Sequence, residues 1–70
     1  MDTLLSVLLY IHALPGPGTY PQSFINQLQV QNQTTIRLIE TNRLQTATII
    51  LQERPVVAQV IVINDVGMGG

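Results

Sequence analysis

Residues 44–64 read Leu-Gln-Thr-Ala-Thr-Ile-Ile-Leu-Gln-Glu-Arg-Pro-Val-Val-Ala-Gln-Val-Ile-Val-Ile-Asn, the densest β-branched run in the chain. Val, Ile and Thr are stiff at χ1 and fit a pleated surface better than a helix. Glu53-Arg54-Pro55 breaks the run once. Pro55 has no amide donor, so it belongs at a turn or at the first position of a strand. The stretch therefore predicts two strands, 44–52 and 56–64, joined by a short turn. Beyond Pro55 one alternating face carries Val56, Ala58, Val60 and Val62, and the other carries Val57, Gln59, Ile61 and Ile63. Only Gln59 is polar, and a strand without a polar face is expected to be covered on both sides. The partner strand is more mixed, with Ala47, Ile49 and Leu51 opposite Leu44, Thr46, Thr48 and Ile50.

Upstream, Gln-Thr-Thr-Ile-Arg-Leu-Ile-Glu-Thr at 33–41 alternates Ile36 and Leu38 with Arg37 and Ile39. Asn42 tolerates the left-handed backbone that a tight hairpin needs. The expected fold class is a small α+β protein, mainly β. It consists of a three-stranded antiparallel meander (33–41, 44–52, 56–64), an apolar N-terminal helical arm over about 3–14 and a Pro/Gly hinge. A short helix is expected over 21–27, with Phe24, Ile25 and Leu28 along one face. The competing reading is one long helix over 23–52, since Ile25, Leu28, Asn32, Ile36, Ile39, Arg43, Ala47 and Ile50 keep a three/four spacing. Two polar residues on that seam, and five Thr between residues 34 and 48, weigh against it.

The N-terminal run Met-Asp-Thr-Leu-Leu-Ser-Val-Leu-Leu-Tyr-Ile-His-Ala-Leu starts with residues that can cap a helix and stops at Pro15. On a helical wheel its apolar residues cover nearly every side, so it must be buried all round or lie in lipid. It is far shorter than the ~20 apolar residues of a membrane span. It also lacks the positive flank of a signal peptide. A docking helix at an interface is the favoured reading, followed by a membrane-dipping segment and then by a first strand over 4–11. Pro15-Gly16-Pro17-Gly18-Thr19-Tyr20-Pro21 can form neither helix nor sheet and reads as a linker. The expected organisation is thus an apolar arm (1–14), a hinge (15–21) and a single small β-rich body (22–70).

Composition narrows the class of function. A 70-residue chain buries only ~60% of its unfolded surface and is marginal alone. With no Cys, disulfides and thiolate zinc sites are excluded. Oligomerisation is the remaining way to complete a core. Charged residues make up 10% of the chain against about 25% ordinarily, and a surface so thinly charged is poorly protected against association. There is no Lys, and Arg37, Arg43 and Arg54 are the cations of a chain with net charge -1. Nucleic-acid affinity rests on neutralising phosphates, so no nucleic-acid partner is expected.

No acid, base and nucleophile can be grouped, so the chain is not expected to be an enzyme, and no small-molecule substrate, cofactor or metal is expected. His12, the only histidine, sits in an apolar run without a second ligand at metal spacing. Asp2, Glu40, Glu53 and Asp65 show no paired-carboxylate spacing. Asn32-Gln33-Thr34 matches a glycosylation sequon, which carries meaning only in a secreted protein. Val66-Gly67-Met68-Gly69-Gly70 lacks the following helix that a phosphate-binding glycine loop requires.

The terminal Gly69-Gly70 of a β-rich chain of this length resembles the ubiquitin-like sulfur carriers and modifiers, and the resemblance implies an activated C-terminal carboxylate. The overall composition, with no Cys, few charges, amide- and Thr-rich strands and an apolar arm, is similar to small virion components: minor capsid, cement or tail subunits. Such a likeness implies a non-enzymatic structural subunit in a homo-oligomer or larger hetero-assembly. The residues expected at the interface are Leu4, Leu5, Leu8, Leu9, Ile11 and Leu14 in the arm, and Ile61 and Ile63 in the sheet. Leu8→Asp would then abolish assembly and spare the β content. The rival expectations are a small membrane-associated protein anchored through residues 4–14 and a Gly-Gly carrier. The compartment is left open: the virion for a viral protein, otherwise the cytoplasm or a membrane.

Overall fold

A computed structural model describes residues 2–65, with the side chain of Asp2 outside the description. The order is α1 (Asp2–Tyr10), β1 (Gly18–Pro21), α2 (Gln22–Gln31), α3 (Gln33–Glu40), α4 (Arg43–Val57) and β2 (Val60–Ile63). The expected three-stranded antiparallel meander is wrong. The described residues are mostly helical, and β1 and β2 form a two-stranded parallel sheet with Gly18 opposite Val60 and Pro21 opposite Ile63. A parallel pair needs a long crossover, and α2, α3 and α4 supply it.

The threonines misled the strand assignment. Thr is a poor helix former because its hydroxyl competes for backbone groups. Here the competition is resolved inside the helices. Thr46 Oγ1 donates to the carbonyl of Asn42 and lies equally close to that of Ile39, both at 2.9 Å, and Thr48 Oγ1 donates to Leu44 at 2.9 Å. Thr41 Oγ1 closes α3 by donating to the Leu38 carbonyl at 2.7 Å. Each of these hydroxyls finds a carbonyl of the preceding turn, a known helical accommodation of Thr. Pro55, read as a turn residue, lies inside α4.

The alternative of one long helix over 23–52 lies nearer to what is seen, but two breaks divide it. Asn32 has φ -114° and ψ 17°, and its side-chain amide donates to the Leu28 carbonyl at 2.8 Å. Asn42 is extended at φ -100° and ψ 100°, and its Oδ1 accepts the Gln45 N–H at 3.0 Å as the N-cap of α4. Both asparagines stand where their short polar side chains replace a lost helical bond.

These breaks let the three helices fold around α1. Leu5, Ser6, Val7, Leu8 and Leu9 are buried in succession, so α1 is covered on every side by its own chain. A helix apolar on every side must be buried all round or lie in lipid, and here the chain's own helices bury it. The core that covers it draws on α2, α3 and α4, each of which turns buried residues toward α1. The core joins these leucines to Leu14, Ile25, Leu28, Ile36, Ile39 and Ile49.

Helix α1 ends before residue 14 because of a C-terminal cap. The His12 N–H donates to the Leu9 carbonyl at 3.1 Å and the Ala13 N–H to Leu8 at 2.9 Å. That pair of bonds is a Schellman cap, with His12 in the left-handed position at φ 63°. The next segment is a defined turn rather than a free hinge. Gly16 and Gly18 have φ 156° and 153°, which an L side chain rarely adopts. The Tyr20 hydroxyl donates to the Gly16 carbonyl at 2.8 Å, and its ring stacks on Phe24.

The end of β2 is tied to the start of α2. Asp65 Oδ1 accepts the Ser23 N–H at 2.9 Å, and Oδ2 accepts the Ser23 hydroxyl at 2.6 Å. Helix α2 begins at Pro21 without a side-chain cap of its own, so Asp65 supplies the cap from across the sheet. These hydrogen bonds, that of the Ser23 hydroxyl first, hold the Asp65 carboxyl below the ordinary aspartate range. The folded state thus binds this proton less readily than the unfolded chain. The stabilisation is fully present above the unfolded pKa of ~4 and is lost as pH falls through the lower folded value. Asp65→Asn is expected to lower the urea midpoint at pH 7 and to flatten its dependence between pH 5 and pH 2, as read by circular dichroism.

Candidate interaction surface

The β1–β2 sheet has two unlike faces. Tyr20, Val60 and Val62 pack toward the core. Thr19 and Pro21 of β1 point outward with Ile61 and Ile63 of β2, which are 60% and 54% exposed. The alternation expected to be absent from 56–64 is therefore present over 60–63, but with isoleucine on the outer side. Parallel sheets normally have both faces covered; here, among the described residues, the outer face is bare.

A second apolar region lies on the helices. Helix α4 turns Ile49 inward, which sends Leu44, Ala47, Leu51 and Pro55 to the opposite side at helical spacing. Leu44 is 83% and Leu51 64% exposed, and Leu38 of α3 is 69% exposed. Sequence reasoning missed these leucines because it placed them in strands. The three/four spacing of 44, 47, 51 and 55 was the available signal. The space between α2 and α3 forms a shallow groove of about 390 Å³ lined by Gln29, Val30, Gln33, Ile36, Arg37 and Glu40.

The expected interface residues separate into two groups. Leu5, Leu8, Leu9 and Leu14 are buried within the chain's own core, and Leu4 and Ile11 are partly buried against it. The arm packs into the core, and four of its five leucines are buried there. Ile61 and Ile63 lie outward, side by side on one strand.

The remaining polar residues have structural places. His12 is exposed at the cap of α1, and Asn32 is engaged at the α2–α3 junction. Among the described residues no group of three His, Cys, Asp or Glu could hold a metal ion, and no helix is long and apolar enough to cross a membrane. The ubiquitin-like reading leaned on a β-rich body, which the helices replace, and Gly69-Gly70 lies outside the described residues. No protein-family model, curated protein or solved structure matches the chain.

Proposed function

We propose that the protein is a non-enzymatic structural subunit that works by assembly with further copies or other chains. The observation that carries this reading is the bare outer face of a parallel sheet, where Ile61 and Ile63 stand exposed. Contiguous exposed apolar surface on a small protein marks a contact region. Exposed Leu44 and Leu51, on one side of α4, add a second such region. The low charge content, 10% of residues, leaves few groups whose desolvation would oppose contact. A small virion component is one setting that suits such a subunit.

The proposal is tested by placing a charge on each surface separately. Ile63→Lys and Leu51→Lys alter exposed side chains, so both variants are expected to keep the helical circular dichroism of the parent. At least one is expected to shift the protein to the 7.7 kDa monomer on size exclusion with light scattering. If both variants keep the parent's mass, neither apolar surface is a contact region and the reading is wrong.

A further inference from the structure

The two outer edges of the sheet are not equivalent. In a parallel pair, successive residues turn their N–H and C=O alternately toward the partner and away from it. The Gly18 N–H donates to the Gln59 carbonyl at 3.3 Å, and Gly18 is in register with Val60. Gln59, Ile61 and Ile63 therefore direct their backbone groups to β1, while Val60 and Val62 direct theirs away from it. By the same alternation β1 presents Thr19 and Pro21 outward. Pro21 has no N–H to give, which blocks that edge. The β2 edge lacks two of the usual protections: residues 56–64 contain no charge and no proline.

Such an edge is complementary to itself. Val60 and Val62 offer two donors and two acceptors one residue apart, a pattern that a 180° rotation reproduces. We propose that β2 pairs antiparallel with β2 of a second copy across a two-fold axis at Ile61, giving a four-stranded sheet in the order β1-β2-β2-β1. This rests on the assembly reading above and names the partner of that surface. Val60 faces Val62 of the second copy and exchanges both hydrogen bonds with it, and Val62 does the same with Val60, making four in all. Ile61 meets its own counterpart at the non-hydrogen-bonded position on the axis. Ile61 and Ile63 of both copies then share one apolar face. Residues 60–63 carry no charge, so no like charges oppose each other along the paired strands. Two four-residue edges bury less than the roughly 800 Å² per partner of a standard interface, so the pairing depends on concentration.

The chain has no cysteine of its own, which allows a direct test with Ile61→Cys and Ile63→Cys in the full chain. Cα atoms across a non-hydrogen-bonded antiparallel pair are about 4.5 Å apart, within the disulfide range of about 4.4–6.8 Å. Two copies of residue 63 would be separated by four residues, roughly 14 Å along the strands. Under mild oxidation Ile61→Cys is expected to form a disulfide-linked dimer at least tenfold faster than Ile63→Cys, with the helical signal of both unchanged. Independently, Ile61→Lys and Ile61→Glu are each expected to be monomeric, and mixing them is expected to restore the dimer. If the parent protein is oligomeric but Ile63→Cys links as fast as Ile61→Cys, this pairing is wrong and the assembly reading stands. If the parent is a monomer at every concentration, both fail.

Discussion

Leu8→Asp is expected to unfold the chain, with loss of the helical circular dichroism and of any cooperative thermal transition. The Leu8 side chain is 0% exposed at the centre of α1, within a cluster drawn from all four helices. Removing a buried leucine's packing alone costs ~2–5 kcal/mol. An unpaired carboxylate in that site adds a desolvation penalty of several kcal/mol, or must take up a proton. A protein of 70 residues has a total stability on the order of 4–10 kcal/mol, so the combined loss matches or exceeds it. From the sequence alone, the same substitution looked like a way to detach a projecting arm and leave the body intact. The burial of five consecutive residues of α1 reverses that expectation. A Leu8→Asp variant that keeps its helical signal and melts cooperatively would show that α1 is not the core element.

Pro55→Ala is expected to act strongly in the opposite direction. Pro55 lies inside α4, two residues before its last residue, Val57. Its ring leaves the Leu51 carbonyl without the usual N–H and crowds that carbonyl, which costs ~3 kcal/mol in a helix interior. Leu51 and Pro55 are both exposed, so an unpaired carbonyl there can turn toward solvent and recover part of this cost. Restoring the N–H should therefore return roughly 1–3 kcal/mol. For a domain of this size that corresponds to a rise in Tm of about 5–20 °C. The neighbouring bond from Gln59 Nε2 to the Pro55 carbonyl, at 3.2 Å, uses a group that alanine retains. A fall in Tm would mean that the fixed φ of Pro55 helps return the chain to β1, and that the strand pairing outweighs the helix bond.

Legibility in the sequence varied by segment. The N-terminal helix could be read from its Leu content and from Pro15, although its true end at Tyr10 depends on a cap formed by His12, a residue seldom placed at a positive φ. The middle of the chain was misread because Thr and Ile were weighed as strand formers. Their hydroxyls and branched carbons fit helices whose inner positions, Ile36, Ile39 and Ile49, keep the helical spacing. Asn32 and Asn42 carried the information for the two breaks, and Asn42 was recognised as a turning point, though for a hairpin instead of a helix cap. The pairing of β1 with β2 was beyond local reasoning: Gly18–Pro21 looks like a linker and becomes a strand only through the register that β2 provides. The candidate surface was half legible. Ile61 and Ile63 were singled out from a strand that does exist, whereas Leu44 and Leu51 could be seen as outward only once α4 was known to be helical.

Contact with other chains would cover these exposed faces, and the mass of the protein in solution without detergent reports whether it does. Light scattering across a hundredfold range of concentration is expected to show a discrete species heavier than 7.7 kDa, with its proportion rising with concentration. A particle that stays at 7.7 kDa throughout would contradict the account, because Ile61, Ile63, Leu44 and Leu51 would then be stable in water with nothing to cover them.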